Sequence, residues 1–175
     1  MLTVRFTRVS PTHHRFEVER ADGSKQAAII ETRSGLVHDL LHFAFETEAG
    51  LTRSFYGLIA AGRTLAETRP RPSADGPSFP TAEARLTERM VGILTVLVED
   101  KFGASEALAG LRRLQQAHAE PMPEWLTEDL IRRTAEHFRR LHGKWKSTPF
   151  GDTMELRINE SLHAAKPTPS ALTAP

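Results

Sequence analysis

The chain contains no cysteine, which excludes thiol catalysis, thiolate metal sites and disulfides; any metal must be held by His, Asp, Glu or backbone oxygen. Long hydrophobic runs are missing too. No stretch approaches the ~18 uninterrupted apolar residues of a membrane span, and the opening residues Met1 to Phe6 alternate polar with apolar instead of forming a secretory block. A soluble, cytoplasmic protein with no membrane partner is the expectation. An excess of charge of either sign is also lacking: 23 Lys and Arg stand against 22 Asp and Glu, a formal +1. No global field therefore selects nucleic acid, an anionic membrane or a polyacidic partner. P-loop, dinucleotide-type glycine fingerprint and nucleophile elbow are all absent.

What remains is 175 residues, 39% of them hydrophobic, enough for one ordinary domain with its own core. Leu2, Val4 and Phe6 alternate with polar residues, as do Phe16 and Val18, which is the period of strands. The Asp22-Gly23 pair supplies a tight turn, after which Lys25 to Ile30 can return as a third strand, giving an antiparallel meander over residues 2–31. Beyond Ser34-Gly35 the apolar period becomes helical up to a stop at Gly50, and a second helix, rich in small residues, follows from Phe55 to about Gly62. Prolines 70, 72, 77 and 80 force a loop. Three further helices are predicted: one capped by Thr81 and running to about Asp100, one capped by Ser105, and one capped by Thr127 with Ile131, Ala135, Phe138, Leu141 and Trp145 inward. Met154, Leu156 and Ile158 form a last strand that can pair with the meander. The fold class is thus α+β: a small antiparallel sheet of three N-terminal strands plus a C-terminal one, with about five helices. Residues 1–159 form a single domain on this reading, and residues 160–175, poor in apolar mass, form a disordered tail.

The sharpest chemical signal is the run Val37-His38-Asp39-Leu40-Leu41-His42-Phe43-Ala44-Phe45-Glu46. At about 100° per residue, His38, His42, Glu46 and Asp39 fall near 0°, 40°, 80° and 100° of one helix face, while the apolar residues occupy the opposite arc. That narrow face holds only His, Asp and Glu, all able to bind a divalent cation, with no Lys or Arg. His38 and His42 can converge on one ion, with Glu46 completing or orienting the site, and Asp39 can fix an imidazole tautomer or act as general base. Zinc is the first expectation for such donors, with iron and manganese compatible. The competing reading is a solvated face, or a polar network without metal in a binding or scaffold protein.

His38-Asp39-Leu40-Leu41-His42 resembles the HExxH signature of the zincins, with Asp39 where that family has Glu. The resemblance implies His38 and His42 as zinc ligands and a general base at position 39. The longer metzincin pattern has Gly where this chain has Phe45, and its third His where this chain has Glu48. The same five residues are similar to the HDxxH metal-binding motif of Coq4, a helical family of ubiquinone biosynthesis, whose further Glu falls near Ser54 here. HDLLHFAFE followed by FYGLIAAG resembles a set of uncharacterised bacterial proteins, which implies a shared site without an assigned activity. Together these readings give a divalent-metal-binding protein, in its catalytic form a metal-dependent hydrolase with a small-molecule or peptide substrate.

Other signals are weaker. Arg132, Arg133, Arg139, Arg140, Lys144 and Lys146 surround Trp145, but Glu128, Asp129 and Glu136 dilute the patch, so it reads as a solvated helix face and not as a nucleic-acid site. His13, His14, His118, His137, His142 and His163 are scattered.

Overall fold

The computed structural model describes residues 1–74, 76–98 and 103–158. The expected tail at 160–175 and the expected helix end at Asp100 lie outside the described residues. Three strands, β1 (Leu2–Thr7), β2 (His13–Arg20) and β3 (Lys25–Glu31), form the meander, and the last strand, β4 (Thr153–Ile158), joins them in the order β3-β2-β1-β4. β1 is central because it pairs antiparallel with both β2 and β4, placing Val4 opposite Val18 and Leu156, and Phe6 opposite Phe16 and Met154. Period-two alternation therefore stacks one apolar face, with Leu2, Val4, Phe6, Phe16, Val18 and Met154 all buried. The opposite face is charged: Arg5 reaches Glu155 at 2.9 Å, Glu17 at 3.2 Å and Glu19 at 2.5 Å. The tight turn after β2 places Gly23 at φ +80, the backbone freedom the Asp-Gly pair predicted.

A π-helical turn, Thr32–Leu36, leads from β3 into α1 (Val37–Ala49), which ends at Gly50 with φ 63. Five more helices follow: α2 (Phe55–Ala60), α3 (Leu65–Thr68), α4 (Ala82–Val98), α5 (Ala104–Ala117) and α6 (Glu128–Ser147). The α+β class stands, with six helices instead of about five. The additional one, α3, is a four-residue helix fixed by a capping box between Thr64 and Glu67, too short for apolar periodicity to reveal. Thr81 and Thr127 accept hydrogen bonds from the backbone N–H groups of Ala84 (2.9 Å) and Leu130 (3.2 Å), as expected of caps. Ser105 does not cap α5. The helix begins two residues earlier, at Ala104 with Gly103 as its cap, and Glu106 reaches back to accept the N–H of Gly103 at 2.7 Å.

α1 occupies the centre, packed on α6 and α4 and touching α2. Every residue from Leu40 to Glu46 is buried, so the helix is enclosed on all sides over nearly two turns. α6 closes the layer beneath the sheet, with Trp145 edge-on to His14 of β2 at 5.7 Å. The same buried cluster runs from Leu2 to Ile158.

Candidate metal centre

Because α1 is enclosed from Leu40 to Glu46, His42 and Glu46 of its polar arc point into the protein, while His38 at the start of the helix stays exposed. His42 and Glu46 are each 2% exposed, and buried polar groups of this kind must find partners to offset lost hydration. Glu46 finds three. His42 Nδ1 donates to its Oε1 at 3.0 Å, and the backbone N–H groups of Tyr56 (2.8 Å) and Gly57 (3.4 Å) donate to its Oε2. Those two N–H groups lie in the first turn of α2, whose own Ser54 makes no side-chain cap, so Glu46 caps α2 from another helix. This pairing fixes the tautomer of His42 and leaves Nε2 as its outward-facing nitrogen. Tyr56 reinforces the joint by donating its hydroxyl to the backbone carbonyl of Asp39 at 3.1 Å.

Nε2 of His42 is buried without a hydrogen bond and faces Glu88 Oε1 of α4 at 3.3 Å. His38 lies beside it, the two rings 4.6 Å apart and tilted by 51°. Its Nε2 meets Glu88 Oε2 at 3.3 Å, and its Nδ1 lies 3.7 Å from Asp39 Oδ1. The two imidazoles are thus presented alike: a carboxylate beside each Nδ1, and both Nε2 atoms converging on Glu88. One ligand atom from each of His38, His42 and Glu88 lies within 4.8 Å of the others, a group that can hold a metal ion. Asp39 completes the surroundings, its Oδ2 buried and without a hydrogen-bond partner.

The electrostatics follow from this geometry. The carboxylates of Asp39 and Glu88 raise the pKa of His38 to about 9. Burial pulls His42 down, but Glu46 and Glu88 outweigh it and hold the imidazole above its ordinary value. Burial pushes Glu88 up, yet the two imidazoles keep its carboxyl far below the usual carboxylate range. A cluster that draws protons between Glu88 and two imidazoles offers the same lone pairs to a divalent cation, which competes with those protons.

Of the four residues singled out in the sequence, His38 and His42 converge through Nε2, Glu46 sits behind His42 on Nδ1, and Asp39 lies beside His38. Glu48 turns away to α6, where it accepts from His137 Nδ1 at 3.0 Å. The sequence pattern did not single out Glu88. Its signal was faint: an acidic residue four after Ala84 and three before Val91, both buried, and so on the edge of the apolar stripe of α4.

His38, Asp39, His42 and Glu88 line a cavity of about 180 Å³ whose walls include Phe16, Ile30, Phe55 and Leu65, with the exposed Arg69 and Pro70 at its rim. Among the described residues no helix is long and apolar enough to cross a membrane. Comparison of the chain with protein-family models, with characterised proteins and with solved structures gives no match.

Proposed function

We propose that the protein binds one divalent cation through His38 Nε2, His42 Nε2 and a Glu88 carboxylate oxygen, and uses it to hydrolyse a substrate held in the adjoining cavity. The carrying observation is the Nε2 of His42: a buried lone-pair atom without a hydrogen bond, oriented by Glu46 on the far side of the ring and aimed at Glu88. Two imidazoles and one carboxylate suit zinc first, with iron and manganese accommodated by the same donors. Glu46, expected from the helix face to be a metal ligand, serves instead to hold His42, and Asp39 serves as general base.

His38, His42 and Glu88 would hold the cation, which would supply Lewis acidity to polarise a carbonyl and acidify a water. Asp39 Oδ2, buried and unpartnered beside the cluster, takes a proton from that water as its oxygen adds to the carbonyl carbon. The same carboxyl then returns the proton to the leaving oxygen or nitrogen as its bond to carbon breaks. The apolar walls formed by Phe16, Phe55 and Leu65 exclude competing water.

Protein purified without chelator, analysed for metals and titrated with zinc, iron and manganese, is expected to bind one ion per chain. His38→Ala and Glu88→Gln should each weaken that affinity by about a hundredfold. Asp39→Asn should keep the metal and lose roughly a hundredfold or more in turnover of an activated ester such as p-nitrophenyl acetate. Wild-type protein that rebinds none of the three metals overturns the reading.

A further inference from the structure

The charge around the cavity is unevenly distributed. Asp39 and Glu88 line it beside the two imidazoles, with Glu46 directly behind His42. Three carboxylates there leave the cluster net negative even with a divalent cation in place. The rim is the reverse. Arg69 lines both this cavity and a neighbouring one of about 220 Å³, which Arg63 and Arg71 also line. Glu67 is the acidic member of that second lining, and its carboxylate is taken up by the backbone N–H and hydroxyl of Thr64, both at 2.8 Å, and by Arg63 at 3.6 Å. Among the described residues no carboxylate pairs with Arg69 or Arg71. Phe16, Ile30, Phe55 and Leu65 give the first cavity an apolar wall.

We infer that the cavity selects a small amphipathic acid: a molecule with a terminal carboxylate or phosphate bound by Arg69, a short apolar middle against the phenyl and aliphatic walls, and its reacting group at the His38, His42 and Glu88 end. This deepens the metal reading and rests on it. Guanidinium is the right head for the task, since its planar fork pairs two oxygens of a carboxylate or phosphate at once. A volume of about 180 Å³ lies below the roughly 300–1,000 Å³ of common drug-sized sites, which favours a small molecule over a peptide.

Monohydroxamates of straight-chain dicarboxylic acids with four to eight carbons test this directly, because the hydroxamate chelates zinc and the free carboxylate can reach the rim. Each is compared by calorimetry on the zinc-loaded protein with its neutral carboxamide counterpart. At the best chain length the acid is expected to bind about tenfold more tightly than the amide. Arg69→Gln should erase that preference while leaving the affinities for the amide and for zinc unchanged. An acid that never outbinds its amide, a preference that survives Arg69→Gln, or hydroxamates that fail to bind the zinc-loaded protein each overturn the proposal while the metal site stands. Absence of zinc binding by the wild-type chain overturns the metal reading and this one with it.

Discussion

His14 and His42 are both buried imidazoles, 0% and 2% exposed, yet their affinities for a proton move in opposite directions. His42 lies between two carboxylates, and these outweigh its burial. Among the described residues His14 has only the hydroxyl of Thr32 as hydrogen-bond partner, at 3.2 Å from Nδ1, and its ring is packed between Phe6 and Trp145. Burial therefore lowers its pKa, against weaker opposition from Asp39 and Glu31. The sign of the consequence is fixed: the unfolded chain takes up a proton near pH 6.5 where the folded chain does not, so the contribution of neutral His14 is whole above about pH 6.5 and is lost as the pH falls below it. Urea unfolding of wild type and His14→Leu at pH 7.5 and 5.5 measures it. The wild type should lose stability relative to the variant on acidification, by at most about 1.4 kcal/mol per pH unit; a difference that is the same at both pH values would refute the assignment. Neither behaviour was legible in the sequence, where His14 is one of several scattered histidines. What decides a histidine's role is which side chains arrive from elsewhere, and Glu88, fifty residues beyond His38, leaves no local trace of its arrival.

Among elements, α2 is the least independent: six residues, capped by the Glu46 carboxylate of α1 and pressed against the preceding turn at Gly57. A Cβ at Gly57 would fall on the backbone carbonyl of Thr52, so Gly57→Ala must push α2 away from that turn and loosen its hold on Glu46. We expect a destabilisation of about 2 kcal/mol with roughly tenfold weaker zinc binding, since the partner behind His42 would shift. Gly92→Ala provides the contrast. It lies inside α4, where an added methyl would meet nothing within 4 Å, and should raise stability by about 0.5–1 kcal/mol without touching zinc affinity. Equal zinc affinities in Gly57→Ala and wild type would show that α2 does not set the geometry of His42. The small residues of this segment stood out in the sequence, and the strands and long helices announced themselves by their periods. Periodicity reports the polarity of a helix face, not what covers it. The arc of His38, Asp39, His42 and Glu46 was therefore readable as a set, while its enclosure by α2 and α4 was not.

Across the whole molecule, the candidate ligands tie two helices that the chain separates by the α2 and α3 segment and the proline-rich loop: His38 and His42 from α1, Glu88 from α4. In the metal-free protein the contact is held by Glu88 facing two imidazoles at 3.3 Å each, a pairing whose gain is largely spent against the burial of His42. A cation bound there replaces that compromise and couples to folding, because the unfolded chain does not hold the three ligands together. At a free zinc concentration a hundred times the dissociation constant the folded state gains about 2.7 kcal/mol, which for a chain of this size raises Tm by about 5–10 °C. His38→Ala separates the two contributions, since the His38 side chain is 45% exposed: its removal should lower the metal-free Tm modestly, through the lost pairing with Glu88, while abolishing the zinc-dependent rise. A scanning calorimeter run with and without zinc on both proteins decides the matter. An equal rise in both would place the ion elsewhere on the surface, and the convergence of α1 and α4 on Glu88 would then be an internal ion-paired network that joins the helices without metal.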